Sequence, residues 1–170
     1  GSPLAPQIIE QSPANGQEVS LDGTIEITFD QPMDQAATGA ALQVVDSEGK
    51  TLSGDVTWPS TTTMRFKPAN RLVAGAVYMT RLNSKATSVK GVALRDDYTF
   101  DFNAVGELQV SQVFPVAQTI DVEGKSSITV IFNRPVVPLV IAEEQAKLPS
   151  PIVIDPPVDG TGEWINTSVY

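Results

Sequence analysis

The stretch that decides the fold is Thr24–Met33, TIEITFDQPM, because a close copy of it returns as Ser127–Val136, SITVIFNRPV. Apolar and polar residues alternate in the first copy, and the second keeps this alternation except at Ile131. Period-two alternation places one row of side chains in a core and the other toward solvent, so each copy predicts a half-buried β-strand. A proline follows each strand, at Pro32 and Pro135. Because proline has no N–H to donate, we expect each strand to end there.

The composition favours an all-β protein. A chain of 170 residues can form one large domain or two modules of roughly 100 residues each. Hydrophobic residues make up 41% of the chain, which is enough for real cores. The 13 prolines, the 12 glycines and the many short apolar runs are typical of β-structure rather than helices.

Charge and residue usage exclude several classes of function. The net charge of −9 argues against binding to nucleic acid or to an anionic membrane surface. No apolar run approaches the ~20 residues of a membrane span, so we expect no direct membrane insertion. The chain has no Cys and no His, which removes disulfides, thiol catalysis, thiolate metal sites and the usual general base. No signal peptide is visible, and Gly1-Ser2 resembles a cloning scar, so we expect the natural chain to begin earlier.

The first module is predicted over residues 7–104, after a scar and leader at residues 1–6. About seven or eight strands with frequent turns predict a β-sandwich. Asp22-Gly23 predicts a two-residue hairpin into the organising strand, and Asp46–Lys50 predicts a second hairpin. The remaining strands are predicted at Gln7–Glu10, Val19–Leu21, Leu42–Val45, Thr51–Trp58, Met64–Phe66, Tyr78–Leu82 and Tyr98–Phe102.

The second module is predicted over residues 107–170 as an incomplete copy of the first. Phe132 follows Phe29 by 103 positions and Trp164 follows Trp58 by 106, so the two modules keep step. A short helix is predicted at Ile141–Lys147 and a strand at Pro151–Ile154. Compared with the first module, the second lacks about 38 residues after its tryptophan, so we expect a domain truncated on its C-terminal side. Its open strand edge is expected to pair with another copy or to pack on the first module.

Acidic residues offer the first candidate sites. Carboxylates suit calcium, but none of them falls in the twelve-residue loop pattern, and turns recruit Asp and Glu in any case. Glu143-Glu144 is a candidate catalytic pair, yet adjacent helical residues do not face each other and no partner acid or base is evident. We therefore favour turn and surface roles for these residues and for the calcium candidates Asp30, Asp34, Asp46, Glu48, Asp96 and Asp97.

Hydroxyl and aromatic residues are the other candidates. The clusters Ser60–Thr63 and Thr167-Ser168 lack a His or Lys base in a recognisable motif. Trp58 and Trp164 could stack on a sugar, but their equivalent places in the two modules favour a structural role. Pro32-Met33-Asp34 is interpreted as a strand-ending device rather than a ligand grip. We predict no catalytic, cofactor-binding or metal-binding residue, and no cofactor.

The first module contains five spaced motifs: Pro13-x-x-Gly16, Ile25-x-Ile27-x-Phe29-x-x-Pro32-Met33, Tyr78-x-Thr80-x-Leu82, Gly91-x-x-Leu94 and Tyr98-x-Phe100-x-Phe102. With these motifs the module resembles the bacterial Ig-like domain found in S-layer and other surface proteins. The resemblance covers nearly all of Gln7–Asn103.

The second module contains four further motifs: Phe132-Asn133-Arg134-Pro135-Val136-x-Pro138-Leu139, Leu148-Pro149, Ile152-x-Ile154-x-Pro156 and Gly162-x-Trp164. With these motifs it is similar to the N-terminal region of bacterial alpha-2-macroglobulin-like proteins, over about 60 residues. This resemblance implies a secreted, periplasmic or cell-surface parent, often lipid-anchored, that traps proteases after cleavage of a bait segment. Many members also carry a Cys–Gln thioester, which a chain without Cys does not contain.

Three functions follow as hypotheses. The leading one is a non-catalytic scaffold or spacer of an alpha-2-macroglobulin-like protease inhibitor, whose partners are the other domains of its parent and which meets proteases only as part of the full-length protein. The alternative is an Ig-like stalk or adhesion module of a bacterial cell-surface protein. The third is an accessory domain of an extracellular hydrolase.

Overall fold

The computed structural model describes all residues, 1–170, and they form two compact units. Unit 1 is Gly1–Glu107 and unit 2 is Leu108–Tyr170. In both units more residues lie in strands than in helices, so the predicted all-β fold class is confirmed. The two helices have seven and four residues, and neither is long enough to cross a membrane.

Unit 1 is a sandwich of two four-stranded sheets. One sheet has the order β1-β3-β6-β5 and the other the order β2-β8-β7-β4. Neighbouring strands are antiparallel, apart from the parallel pair β2 and β8. The elements are β1 Ile8–Ser12, β2 Glu18–Val19, β3 Ile25–Phe29, α1 Gln35–Ala41, β4 Leu42–Asp46, β5 Gly54–Thr57, β6 Thr63–Pro68, β7 Val77–Leu82 and β8 Tyr98–Ala104.

The core of unit 1 lies between its two sheets. Burial alternates along β3 and β7, as the period-two pattern predicts, because successive side chains of a strand point to opposite faces. Tyr78 and Phe102 stack with their ring centroids 5.4 Å apart inside this core. Each sheet therefore buries its apolar face against the other.

The predicted hairpin at Asp22-Gly23 is wrong. The turn itself forms, with the Gly23 N–H donating to Ser20 O at 2.9 Å. However, β2 pairs with β8 in one sheet, whereas β3 lies in the other. The turn thus carries the chain between layers instead of joining two neighbouring strands.

The second predicted hairpin is only partly correct. Thr51 bridges Val45 across the Asp46–Lys50 turn, so the chain does return beside β4. It then leaves this sheet, and β5 pairs with β6 in the opposite one. The returning segment therefore also connects the two layers.

Unit 2 contains one layer of sheet. Its elements are β9 Val110–Phe114, β10 Thr129–Phe132 and α2 Ala142–Gln145. β9 and β10 are antiparallel, and the C-terminal residues lie along the other edge of β10. There Val130 N donates to Tyr170 O at 2.9 Å, and Tyr170 N donates back to Val130 O at 3.0 Å. This edge of β10 is thus paired within unit 2 itself.

The strand predicted at Pro151–Ile154 is absent. The segment is flanked or interrupted by Pro149, Pro151 and Pro156. Each proline removes a donor from a potential ladder, and this outweighs the β-propensity of the apolar residues between them. The predicted helix does form, over the shorter range of α2.

Candidate functional site

The acidic candidates do not converge on one another. No group of three or more acidic side chains is placed to hold a metal ion. Asp34 caps α1, its Oδ1 accepting from Ala37 N at 3.0 Å. Asp30 Oδ1 accepts from Gln7 N at 2.9 Å. These carboxylates satisfy backbone N–H groups at element ends, which is a common structural use of Asp.

Asp46 also holds a turn. Its Oδ1 accepts from the backbone N–H groups of Glu48 and Lys50, each at 2.9 Å. Gly49, between them, has a φ of 81°, a backbone conformation that glycine adopts without steric cost. The carboxylate of Asp46 is therefore part of the turn that follows β4.

Asp97 is the most strongly engaged acidic residue. Its Oδ2 accepts from Arg81 Nε at 3.1 Å and from Arg81 Nη2, and its Oδ1 accepts from Ser84 N at 2.9 Å. The hydrogen bonds from Arg81, followed by the one from Ser84, lower the pKa of Asp97 below its usual value. The carboxyl is thus held ionised, the opposite of what a general acid needs.

Glu143 and Glu144 lie in the first turn of the four-residue helix α2, and both are exposed. Negative charge is favourable at the N-terminal end of a helix. They have consecutive positions on a surface turn, so they do not form a facing acid–base pair.

The hydroxyl groups of the two candidate clusters bond to nearby polar side chains. Thr63 Oγ1 lies 3.1 Å from Thr28 Oγ1, and Ser60 Oγ lies 3.2 Å from Thr62 Oγ1. Ser168 bonds to Asn166 Oδ1 through both its N–H and its hydroxyl. None of these contacts supplies the adjacent base that an activated nucleophile requires.

The two tryptophans lie against apolar side chains. Trp58 is half-buried and packs on the core of unit 1. Trp164 is 3% exposed, and its ring centroid lies 5.9 Å from that of Phe132 and 5.2 Å from that of Tyr170. Its Nε1–H donates to Pro149 O at 3.1 Å. The indole of Trp164 is therefore a core group of unit 2 and does not present a stacking surface.

Met33 is likewise buried, and its backbone bridges Ser88 just beyond the end of β3. Its N–H donates to Thr61 O at 3.1 Å. The segment Pro32-Met33-Asp34 thus ends the strand and leads into the capped helix α1.

One polar hollow escaped the sequence analysis. It lies on the outer face of the sheet that contains β1, β3 and β6. Glu26, one of its lining residues, pairs with Arg65 at 3.1 Å. The signal for it was the outward parity of Glu26 and Thr28 within the organising strand. The hollow is shallow and hydrophilic, without an aromatic platform, and its lining residues are Glu10, Gln11, Ser12, Glu26, Thr28 and Thr63.

Solved structures with a similar fold come from proteins of different kinds. PcoC, a methionine-rich copper resistance protein from Escherichia coli, is 13% identical with a TM-score of 0.50, covering 59% of this chain and 99% of PcoC. Escherichia coli alpha-2-macroglobulin in its native conformation is 12% identical with a TM-score of 0.48, covering 64% of this chain and 7% of that one. An L,D-transpeptidase from Mycobacterium smegmatis is 21% identical with a TM-score of 0.44, covering 62% and 42%.

At these identities the likeness concerns the fold alone. The chain spans less than half of the transpeptidase and a small part of the macroglobulin. Comparison with curated protein sequences finds no match.

The family is shown by the sequence of unit 1. Residues 3–104 match the family profile described as the bacterial Ig-like domain, and this range is more than half of the chain. It includes every strand of the two-sheet sandwich. The chain belongs to the bacterial Ig-like domain family.

Proposed function

We propose that this chain is a non-catalytic structural module, a scaffold or spacer, of a bacterial alpha-2-macroglobulin-like protease inhibitor. The observation that carries the structural role is the placement of the candidate side chains. Asp34 caps a helix, Asp46 holds a turn, and Asp97 accepts hydrogen bonds from Arg81 and Ser84. No group of three or more acidic side chains is placed to hold a metal ion. The choice of parent is supported by the run Phe132–Leu139, which resembles the N-terminal region of that family.

The proposal includes partners and location. The partners are the other domains of the parent protein, and proteases meet the module only through the full-length inhibitor. The family to which the chain belongs supports a secreted, periplasmic or cell-surface location. The resemblance of the second module to alpha-2-macroglobulin-like proteins implies a lipid anchor elsewhere in the parent. The net charge of −9 supports a role without nucleic acid.

Replacement of the module in the parent protein tests this proposal. An unrelated Ig-like sandwich of equal length in place of residues 7–104 is expected to leave protease trapping within about twofold, since a spacer contributes distance rather than chemistry. Trapping is measured as the fraction of protease activity that remains toward a protein substrate. The isolated chain is expected neither to bind immobilised serine or metalloproteases nor to inhibit them. Inhibition by the isolated chain, or loss of trapping after the replacement, would overturn the proposal.

A second candidate is an Ig-like stalk or adhesion module of a cell-surface protein. It is favoured by the tandem arrangement, in which β9 and β10 of unit 2 pair as β1 and β3 do in unit 1. The domain composition of the parent separates the two candidates. Further macroglobulin-like domains with a Cys-x-Glu-Gln segment indicate the inhibitor, whereas plain Ig-like repeats with a wall anchor indicate the stalk.

A further inference from the structure

The two strands of unit 2 repeat a pair of strands of unit 1 residue for residue. Residues of β9 stand 102 positions after those of β1, and residues of β10 stand 103 positions after those of β3. The register irregularity also falls at the same place in both pairs. Thus the partners Ser12–Glu26, Gln11–Ile27, Glu10–Thr28 and Ile8–Phe29 correspond to Phe114–Thr129, Val113–Val130, Gln112–Ile131 and Val110–Phe132.

Two hydrogen bonds beside these strands repeat with the same offsets. In unit 1, Asp30 N donates to Gln7 O at 2.9 Å, and Gln7 N donates to Asp30 Oδ1 at 2.9 Å. In unit 2, Asn133 N donates to Gln109 O at 3.0 Å, and Gln109 N donates to Asn133 Oδ1 at 2.8 Å. Asp30 in unit 1 and Asn133 in unit 2 therefore make the same hydrogen bond at the end of the strand pair.

The C-terminal segment of unit 2 occupies the place of β6. Phe29 N donates to Thr62 O at 2.8 Å in unit 1, and Phe132 N donates to Ser168 O at 2.9 Å in unit 2. This offset of 106 is the one that separates Trp58 from Trp164. By the same step, Tyr170 stands where Met64 stands in unit 1.

These correspondences identify the side of the unit 2 sheet that matches the core side of unit 1. In unit 1, the core positions Ile25, Ile27, Phe29 and Met64 are between 1% and 3% exposed. We call the matching surface of unit 2 the inner face, and its residues are Val110, Val113, Ile128, Val130, Phe132 and Tyr170.

The inner face is apolar but incompletely covered. Val110, Val113 and Ile128 are 52%, 39% and 43% exposed. At the place of Gln11 the inner face has Val113, so this position is more apolar in unit 2 than in unit 1. An exposed row of aliphatic side chains on one face of a sheet marks an interaction surface.

Unit 1 shows what covers this kind of face. Its core positions are buried against the antiparallel strands β7 and β8, whose inward residues include Tyr78, Leu82, Phe100 and Phe102. In unit 2 no second layer forms within Leu108–Tyr170. The segment at the place of β4, Leu148–Ile152, contains two prolines and is not a strand.

We propose that the inner face of unit 2 is a docking surface for an antiparallel pair of β-strands of the β7–β8 type, with aromatic and aliphatic residues at alternate positions on one side. Such a pair completes a second sandwich by face-to-face packing at about 10 Å. The proposal does not depend on whether the parent is an inhibitor or a stalk, because it rests on the hydrogen-bond register and on the exposure of the inner face.

Extension of the chain tests the proposal. A copy of residues 65–104 is joined directly after Tyr170, so that its first residue continues the register set by Tyr170 at the place of Met64. Amide hydrogen exchange in β9 and β10 is expected to slow by about tenfold or more, since covered strands open less often. Nuclear Overhauser contacts are expected between the methyl groups of Val110 and Val113 and the appended phenylalanine rings.

Two matched controls accompany this extension. Insertion of one glycine after Tyr170 turns each appended residue of that strand to the opposite face, and it is expected to abolish most of the added protection. In the extended chain, Val113→Asp on the inner face is expected to remove the protection, whereas Gln112→Asp, whose position pairs with Ile131 on the opposite face, is expected to keep it. The signals of unit 1 show in each case that the chain remains folded.

Three outcomes would overturn the proposal. The first is an extension that leaves the exchange of β9 and β10 unchanged. The second is equal protection with and without the inserted glycine. The third is a concentration-dependent dimer of the unextended chain in which Val110 and Val113 become buried, because a second copy would then be the occupant.

Discussion

The two units share the register of one antiparallel strand pair, but they differ in what covers that pair. Unit 1 buries sixteen apolar residues in one core, whereas Val130, Val137 and Trp164 are the buried apolar residues of unit 2. Of the exposed large hydrophobic residues, fifteen belong to unit 2 and seven to the longer unit 1. The difference shows that alternation along a strand defines an apolar face, while burial of that face requires a second layer.

The contrast also explains why unit 2 relies on aromatic packing. With one layer of sheet, Trp164 lies over Phe132 and Tyr170 and covers part of the inner face. Gly162 allows this arrangement, because a Cβ at this position would overlap the ring of Tyr170. Unit 2 therefore builds a small local core from three rings, and much of the remaining inner face stays exposed.

The largest expected effect comes from truncation of the equivalent phenylalanines. Phe29→Ala is expected to lower the free energy of unfolding of unit 1 by about 3–5 kcal/mol, because the ring is fully buried between two sheets. Phe132→Ala is expected to cost unit 2 about 1–2 kcal/mol, because its ring is only partly covered. Denaturant unfolding is followed through the indole N–H signals of Trp58 and Trp164, one in each unit.

Each phenylalanine variant serves as the control for the other. Phe29→Ala is expected to shift the transition reported by Trp58, and Phe132→Ala the one reported by Trp164. Equal losses in the two units, or a larger loss for Phe132→Ala, would mean that the inner face of unit 2 is as well covered as the core of unit 1.

A smaller effect on stability is expected from a substitution in the core of unit 1. Thr80 is fully buried on β7, and its hydroxyl has no hydrogen-bond partner. Thr80→Val removes this unpaired polar group at nearly constant volume, so it is expected to raise the free energy of unfolding of unit 1 by about 1 kcal/mol.

Thr38 provides the matched control, since it is equally buried but its Oγ1 donates to Thr87 O at 3.2 Å. Thr38→Val is expected to lower the free energy of unfolding by about 1 kcal/mol, because it leaves the carbonyl of Thr87 without this donor. Thermal unfolding of both variants checks the opposite signs. A loss of stability in Thr80→Val would show that its hydroxyl is satisfied in solution.

The sequence predicts the strands of unit 1 better than their partners. β3, β7 and β8 follow from alternation, which is a local property of the chain. The turn at Asp22-Gly23 is also local and does form, but whether a turn joins neighbours or crosses between layers depends on the packing of both sheets. This is why the hairpin prediction failed although the turn signal was sound.

The same distinction applies to unit 2. The offset of 106 between the tryptophans is visible in the sequence, and it predicts the position of the C-terminal segment that pairs with β10. Periodicity alone does not reveal this segment, since Val169 and Tyr170 form too short a run. For the candidate sites, Asp34 and Asp46 fall in the turn and cap roles that their residue type favours. For the polar hollow, the sequence shows the outward parity of Glu26 and Thr28, but the hollow itself also depends on the registers of three strands, which the sequence does not show.

The smallest expected effect is a pH dependence of the free energy of unfolding of unit 1 that arises from Asp97 on its surface. Its hydrogen bonds from Arg81 and Ser84 lower the pKa of the folded state below that of the unfolded chain, which is about 3.9. The stabilisation is therefore fully present above about pH 4, and it is lost as the pH falls toward the lower pKa of the folded protein.

Asp97→Asn is expected to remove this part of the acid dependence of unit 1. Asp96→Asn, which removes the same charge from the neighbouring residue, is expected to retain it. Urea unfolding between pH 5 and pH 2, followed at Trp58, measures both variants. Because the Asp97–Arg81 pair is exposed to solvent, the expected change is small, and an identical pH profile for the two variants would show that water has replaced the pair.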